Sequence, residues 1–155
     1  MDVRLARNED ADAITEQWLD LASSQRVYGS HVLADENRSM ARQSVLRHIV
    51  ANELLVAVDG PDYLGFVMFT VEASDYAQDT TRGLIRNIYV APEHRSNGVG
   101  TSLLEAAESR LTDRGVDRLV LEVMADNEPA RRFYRRHGYS RHRISLEKPT
   151  ENDTL

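Results

Sequence analysis

Residues 84–104 constrain the fold of this chain more than any other stretch. An apolar, strand-like run leads through Ala91 and Pro92 to two glycines separated by one residue, Gly98 and Gly100, and then to an amphipathic run. Glycines let the backbone approach a ligand closely, and the first N–H groups of a helix have no intrahelical partner. A strand that passes through such a turn into a helix predicts an anion-binding site.

The two glycines do not match the common nucleotide-binding motifs. A P-loop has a lysine after its last glycine, whereas Gly100 is followed by Thr101, Ser102 and Leu103. A dinucleotide-binding fingerprint has a third glycine, which this turn lacks. The remaining alternative is a tight strand-to-helix turn that uses glycine for its geometry alone.

The periodicity of apolar residues predicts alternating strands and helices along the rest of the chain. Helices are expected over residues 9–25, 37–51, 98–114 and, as a short one, within 125–138. Strands are expected over residues 2–7, twice in a hairpin over 54–69, and over 84–90, 117–124 and 139–148. This order predicts a single α/β domain over residues 1–149, with a mixed central sheet flanked by helices, and a polar tail over 150–155.

Composition narrows the classes of protein to consider. The chain has 155 residues and a net charge of −6, and this acidic balance argues against a general nucleic-acid binder. It has no apolar run of about 20 residues and no secretory signal, so we expect a cytoplasmic protein without membrane contact. Because there is no cysteine and the histidines lack metal-site spacing, we expect no metal.

Two segments carry a family resemblance. Residues 95–100, Arg-Ser-Asn-Gly-Val-Gly, resemble the Arg/Gln-x-x-Gly-x-Gly/Ala motif of the GNAT acetyltransferases, and IYVAPEHR resembles the strand and proline that lead into it. LEVMADNEPARRFYRRHGY, residues 121–139, resembles the second conserved block of that family. The resemblance covers residues 84–142 and includes features of the ribosomal-protein N-terminal acetyltransferases. It implies a single-domain acyl-CoA N-acyltransferase fold.

The resemblance also implies a binding site for acetyl-CoA. Ile88, Tyr89 and Val90 would offer backbone groups to the pantetheine arm, since a splayed strand leaves such groups unpaired. Asn127 would contact the arm or the acyl end. The pyrophosphate would be held by the turn formed by Arg95, Ser96, Asn97, Gly98, Val99, Gly100 and Thr101.

Tyr134 is the candidate general acid because it occupies the tyrosine position of the family's second block. A phenol with a pKa of about 10 stays protonated near neutrality and can donate to a departing thiolate. The alternative is a packing role, since Tyr134 shares a helical face with Ala130, Phe133 and His137.

Glu122 is the candidate base. It is the acid within the run LVLEVM, where burial would raise its pKa toward neutrality. It precedes Tyr134 by twelve residues, a spacing that resembles the ribosomal-protein enzymes. Alternatively, Glu122 faces water or pairs with an arginine. A water chain to a remote acid would also serve as the base. The strand before the turn offers Arg86 and Asn87 where many family members have an acid.

Together these features predict transfer of acetyl from acetyl-CoA to a primary amine, either a protein α-amine or lysine or a small amine. Without cysteine, direct attack on the thioester is the expected route. The alternatives are a non-catalytic acyl-CoA-binding regulatory module, or an RNA-binding module using the arginine-rich residues 131–143, which could equally be a solvated face. Tyr28 and His31 are candidate acceptor contacts. An exposed last strand would be able to pair with a partner's edge in a homodimer.

Overall fold

A computed structural model of the protein describes residues 1–151, in which five strands alternate with four α-helices. The strands are β1 (Asp2–Leu5), β2 (Leu54–Asp59), β3 (Asp62–Val71), β4 (Arg82–Val90) and β5 (Arg118–Leu121). The α-helices are α1 (Ala11–Gln25), α2 (Arg38–Val50), α3 (Val99–Asp113) and α4 (Glu128–Arg136). Short 3-10 turns occupy Asn8–Asp10, Arg26–Tyr28, Asp35–Asn37 and Pro92–His94.

The strands form one sheet in the order β1-β2-β3-β4-β5. The first four strands are antiparallel to their neighbours, and β5 is parallel to β4. A parallel neighbour requires a crossover connection, which α3 supplies between β4 and β5. The predicted mixed sheet flanked by helices is confirmed.

Helices cover both faces of the sheet, which explains why β2 and β3 contain runs of consecutive buried residues. In β2, Leu54 and Val56 pack in the cluster that contains residues of α1 and α2. The alternate residues Leu55 and Ala57 pack in the cluster that contains the apolar face of α3. The period of two along a strand assigns successive side chains to opposite layers.

A β-bulge interrupts the pairing of β3 with β4. Met68 pairs with Asn87, but the next residue, Phe69, pairs with Ile85, so Arg86 is the extra residue in β4. A single extra residue reverses which face the following side chains occupy. As a result Ile85 and Ile88 both pack on the α3 side of the sheet. Apolar patterning alone does not predict this inserted position.

The carboxyl-terminal part of the chain departs from the prediction. The strand expected over 117–124 ends at Leu121, and the strand expected over 139–148 is wrong, because residues 140–148 are exposed and have no strand partner. Their apolar side chains, such as Ile144 and Leu146, are exposed, and the segment does not pair with the outer edge of β5. Of the predicted tail, residues 152–155 lie outside the described residues. Within residues 1–151, no helix has the length and apolar character needed to cross a lipid bilayer.

A buried carboxylate ties the amino-terminal segment to the sheet. Asp10 is 1% exposed and accepts hydrogen bonds from both Arg4 guanidinium nitrogens (2.8 and 3.1 Å), the Tyr63 hydroxyl (2.5 Å) and the Arg7 N–H (2.7 Å). Burial opposes ionisation, but the hydrogen bonds from Arg4, Tyr63 and Arg7 outweigh it and lower the pKa of Asp10 from 3.8 to about 2. The charge is therefore fully compensated within the fold.

We expect Asp10→Asn to lower the free energy of unfolding by about 2–3 kcal/mol, because it leaves the Arg4 guanidinium without its carboxylate. Since the folded-state pKa of Asp10 is depressed, its contribution is present above pH 4 and is lost as the pH falls from about 4 to about 2. Urea unfolding from pH 7 to pH 3 measures both effects.

The matched control is Asp12→Asn in the first turn of α1, where the carboxylate is exposed and accepts from Arg42 at 3.1 Å. An exposed pair of this kind contributes little to stability. Equal stability of the two variants would contradict a structural role for the Asp10 charge.

Candidate active site

The site is centred on the point where β4 and β5 diverge. Their parallel pairing begins at Arg82 with Arg118 and ends at Ile85 with Leu121. Beyond Ile85, β4 continues to Val90 without a neighbour on the β5 side, because β5 ends at Leu121. Residues 86–90 therefore have a free edge, as expected for the splayed strand of an acyl-CoA site.

The register of β4 decides which backbone groups face this free edge. Ala91 N–H donates to Leu64 O at 2.8 Å, so alternate residues from Ala91 backward turn their polar groups toward β3. Ile88 and Val90 then present their backbone groups to the gap, whereas those of Tyr89, which pairs with Phe66, face β3. The predicted contact through the Tyr89 backbone does not fit this register.

Arg95 lies beside the gap but already has a protein partner. Its Nε donates to Val90 O at 3.1 Å. This bond joins the end of β4 to the glycine turn. Among residues 1–151, the backbone groups that face the gap between β4 and β5 without a protein partner are the N–H and C=O of Ile88 and the N–H of Val90.

The glycine turn places two of its residues in the left-handed region of backbone conformation. Ser96 and Gly98 both have positive φ, at 67° and 83°, and Gly98 is the N-cap of α3 without a side-chain capping bond. The first helical bond runs from Ser102 N–H to Gly98 O at 3.1 Å. The N–H groups of Val99, Gly100 and Thr101 therefore have no intrahelical acceptor and lie at the positive end of the helix dipole.

Helix α4 packs directly on this turn. A Cβ placed on Gly100 would lie 3.4 Å from Phe133 Cζ and 3.6 Å from Val90 Cγ2, at ordinary contact distance, so Phe133 and Val90 both lie against this residue. In the next residue, the Thr101 hydroxyl lies 3.1 Å from His137 Nε2. The sequence did not predict this contact, because its partners are 36 residues apart.

Tyr134 has the environment expected of a proton donor. Tyr63, Tyr89 and Tyr139 each donate their hydroxyl to a carboxylate, of Asp10, Asp20 and Glu108 respectively. The Tyr134 hydroxyl has no hydrogen-bond partner among the described residues, and burial raises its pKa to about 12. It therefore stays protonated and free to donate to a ligand.

Glu122 does not lie where the sequence placed it. The expected burial is wrong, because β5 ends at Leu121 and Glu122 is exposed. Since β4 and β5 are parallel, their carboxyl ends lie at the same edge of the sheet, and Glu122 follows β5 at the opening between the strands. Its position is compatible with proton exchange with solvent, without the burial that the prediction used.

Asn127 has a structural role that the sequence did not predict. Its Oδ1 accepts from Ala130 N–H at 3.2 Å and caps α4, and its Nδ2 donates to Gln25 Oε1 at 3.4 Å. The side chain is buried and joins the start of α4 to the end of α1. Contact of Asn127 with a ligand arm stays a prediction.

A second acidic candidate is visible only in three dimensions. The buried Tyr89 side chain donates its hydroxyl to Asp20 near the end of α1. Burial and this hydrogen bond raise the pKa of Tyr89 above its ordinary value, so the phenol remains a donor to Asp20. Asp20 is exposed and belongs to no motif, and the 69 residues between the partners give no sequence signal.

The arginines of α4 are mostly engaged locally. Arg131 donates to Ala125 O at 3.0 Å, and Arg135 donates to Glu128 at 2.9 Å. The Arg136 guanidinium lies 6.0 Å from the centre of the Phe133 ring. These contacts favour the solvated-face interpretation of residues 131–143. Within residues 1–151, no three His, Asp or Glu side chains gather as they would around a metal ion.

Comparison with known proteins gives a family match that spans the site. The Acetyltransferase (GNAT) family model matches residues 15–139. N-alpha-acetyltransferase 30 of Schizosaccharomyces pombe is 33% identical over 88 residues, which cover 57% of each chain. Streptothricin acetyltransferase of Streptomyces lavendulae is 39% identical over 85 residues, 55% of this chain and 42% of that protein. The match thus spans about half the length of these relatives.

Solved structures show the same architecture. A mutant of the BH1408 protein from Bacillus halodurans superposes with a TM-score of 0.82 over 97% of this chain and 100% of that chain, at 18% identity. At this identity the likeness concerns the fold alone.

Proposed function

This chain belongs to the acetyltransferase (GNAT) family, and on that premise we propose that it transfers acetyl from acetyl-CoA to a primary amine by direct attack. The observation that carries the proposal is the meeting of three features at one place. The free edge of β4 and the unpaired N–H groups at the start of α3 lie where Phe133 of α4 packs against Gly100, and the Tyr134 ring, with its free hydroxyl, lies 5.3 Å from the Phe133 ring.

These features match the parts of the donor. The amide-bearing pantetheine arm would pair with the backbone groups of Ile88 and the N–H of Val90, which the register turns toward the gap. The pyrophosphate would accept from the N–H groups of residues 99–101, where the helix dipole favours an anion. The turn from Ser96 to Gly98 would wrap around it. All of these donors are main-chain groups. The site can therefore bind a diphosphate without basic side chains, although the protein is acidic.

The reaction balances without a covalent enzyme intermediate. The neutral amine nitrogen attacks the thioester carbonyl carbon, the C–N bond forms, the C–S bond breaks, and the sulfur leaves as a thiolate. Tyr134 protonates that sulfur, while Glu122, directly or through water, takes the proton that the amine nitrogen loses. Proton exchange with solvent restores both side chains. The products are the N-acetylated amine and the free thiol of coenzyme A.

The acceptor class is drawn from the relatives. One is named for N-alpha acetylation and another for streptothricin. We propose that the acceptor is a primary amine, which belongs to a protein α-amino group, to a lysine side chain or to a small molecule. The non-catalytic regulatory alternative would bind acetyl-CoA but release no thiol with any amine.

We expect Asn97→Asp, in the glycine turn, to weaken acetyl-CoA binding about fivefold, because one added negative charge beside the pyrophosphate costs about 1 kcal/mol. The loss should shrink as salt is raised. Isothermal titration of acetyl-CoA at low and high salt measures both effects.

Gln43→Glu on the exposed face of α2 is the matched control, since it changes net charge equally at a distance from the turn. An equal loss of affinity for acetyl-CoA in the two variants would show that the turn is not part of the binding site. Absence of binding by the folded wild-type protein would overturn the acyltransferase proposal.

For Tyr134→Phe we expect kcat to fall about 100-fold with little change in the Kd of acetyl-CoA, because the variant keeps the ring but cannot protonate the sulfur. Thiol release followed with an aromatic disulfide reagent measures turnover. Tyr139→Phe is the control, since its hydroxyl donates to Glu108 at 2.7 Å. A Tyr134→Phe enzyme with normal kcat would show that Tyr134 serves packing alone.

Comparison of Glu122→Gln with Asp20→Asn tests the identity of the base. We expect Glu122→Gln to lower kcat/KM about 100-fold, because the amide cannot accept the amine proton, while Asp20→Asn lowers it much less. A larger loss of kcat/KM in Asp20→Asn than in Glu122→Gln would indicate that the base is the Asp20 carboxylate, which accepts the hydrogen bond from the Tyr89 hydroxyl.

A further inference from the structure

The gap between β4 and β5 opens on two faces of the sheet, and the groups proposed to bind the donor lie on one of them. Ile88 and Val90 pack their side chains in the cluster that contains α3, and Tyr134 of α4 packs there as well. Val99, at the start of α3, belongs to the same cluster. An acceptor amine therefore has to reach the thioester from the opposite face, on which α1 and α2 pack.

The β-bulge directs two consecutive side chains of β4 toward that opposite face. Met68, which pairs with Asn87, belongs to the cluster with α1 and α2, and facing residues of a pair point to the same side of a sheet. Ile85 packs on the α3 side, so the next residue, Arg86, also points away from α3. Arg86 and Asn87 thus lie side by side on the face that the acceptor must use.

Arg86 lies at the opening of the gap and has no protein partner. Ile85 and Leu121 form the last pair between the parallel strands, so Arg86 is the first residue of β4 beyond that pairing. Its side chain is exposed, and its guanidinium takes part in no hydrogen bond or ion pair within residues 1–151. By contrast, Arg82 of the same strand pairs with Glu72 at 3.5 Å. Arg86 therefore offers a positive charge and its N–H donors to a ligand.

An exposed carboxylate occupies the matching position after the other strand. Leu119 and Leu121 of β5 pack on the α3 side, so the alternation places Glu122, which follows them directly, on the same face as Arg86. Glu122 is exposed, and it forms no ion pair with Arg86 or with any other residue of the described chain. Two opposite charges therefore lie on the two sides of the gap, each available to a ligand.

The end of α1 bounds the acceptor face of the gap. A Cβ placed on Gly29, in the turn after α1, would lie 3.7 Å from Met124 Cε, in the segment after β5. Nearby, Gln25 Oε1 accepts a hydrogen bond from Asn127 Nδ2 at 3.4 Å. These contacts join α1 to the segment after β5, so the acceptor face is a partly enclosed site and not an open surface.

We propose that the acceptor is a zwitterionic amine, whose carboxylate is bound by Arg86 and whose amine lies beside Glu122. A guanidinium forms a bidentate pair with a carboxylate, which fixes the orientation of the ligand as well as adding binding energy. The bound amine would then lie next to the carboxylate that takes its proton. This inference rests on the proposed acetyl transfer and specifies its substrate class.

Two kinds of molecule carry this chemistry. A free α-amino acid has its carboxylate on the carbon that bears the amine, whereas a peptide that begins with aspartate has it on the first side chain. An amine with no carboxylate nearby would leave Arg86 without a partner. A polyamine would in addition bring a second positive charge next to Arg86, and like charges at short range repel.

Matched pairs of acceptors test the role of Arg86. The first pair is alanine and alaninamide, which differ in the α-carboxylate, and the second is a pair of amidated dipeptides that begin with aspartate or with asparagine. Thiol release gives kcat/KM for each acceptor. Because the two amines of a pair differ in their own basicity, the ratio of carboxylate to amide acceptor is compared between the wild type and each variant.

We expect Arg86→Gln to lower this ratio about tenfold in one of the two pairs, because a charge-assisted hydrogen bond to the carboxylate is lost. A loss in the first pair identifies free amino acids as acceptors, and a loss in the second identifies acidic peptide termini. Arg86→Lys should keep part of the preference, since it retains the charge without the bidentate geometry. Arg86→Glu should lower the ratio further than Arg86→Gln.

Arg118→Gln is the matched control, because this exposed arginine lies at the opposite end of the pairing between β4 and β5. Isothermal titration of acetyl-CoA checks the fold of each variant, and Arg86→Lys replaces Arg86→Gln in the comparison if the latter does not bind. Equal ratios in the Arg86 variants, Arg118→Gln and the wild type would overturn the inference and leave the proposed function intact. Absence of thiol release with every amine would overturn the proposed function, and the inference with it.

Discussion

The unequal lengths of β4 and β5 govern the architecture of the candidate site. The two parallel strands pair over only four residues, and β4 then extends beyond its neighbour. Because backbone groups buried without partners are costly, this free edge calls for a ligand or another chain. The glycine turn and α3 follow directly from the end of β4, so the edge and the helix amino terminus are fixed with respect to each other by one short connection. The same divergence leaves the far side of β5 open.

Aromatic packing holds the parts around this divergence together. Phe133 occupies the space above Gly100 and beside Val90, and it contacts Tyr134 and His137 of its own helix. The position of α4 is fixed further by the Asn127 cap and by its link to Gln25 of α1. Tyr139 packs edge-to-face against Tyr134 and donates its hydroxyl to Glu108. The network thus positions Tyr134 while leaving its hydroxyl free of protein partners.

The sequence predicted the parts of the fold that depend on local pattern. Apolar periodicity located the four helices and the first four strands, and the Gly98–Gly100 spacing located the turn. The prediction from local pattern failed where the structure depends on contacts between residues that are distant in sequence. Glu122 was expected to be buried because its neighbours are apolar, but the strand ends one residue before it. The strand expected over 139–148 has the right alternation around Ile144 and Leu146, but these residues do not pair with the outer edge of β5. The Tyr89–Asp20 bond and the Arg86 bulge involve tertiary register, which periodicity does not encode.

The Arg86 bulge has a consequence for how this chain can vary over evolutionary time. Ile88 and Val90 meet the gap through backbone atoms, so many side chains of suitable shape could replace theirs without altering those atoms. Insertion of a further residue between the bulge and Ile88 would instead shift the alternation of everything that follows it. Ile88 and Val90 would then turn their N–H and C=O groups toward β3, and Tyr89 would lose its position beside Asp20. This strand should therefore accept substitutions readily but reject such insertions, whereas loss of Arg86 itself would leave Ile85 and Asn87 opposite the consecutive residues Phe69 and Met68.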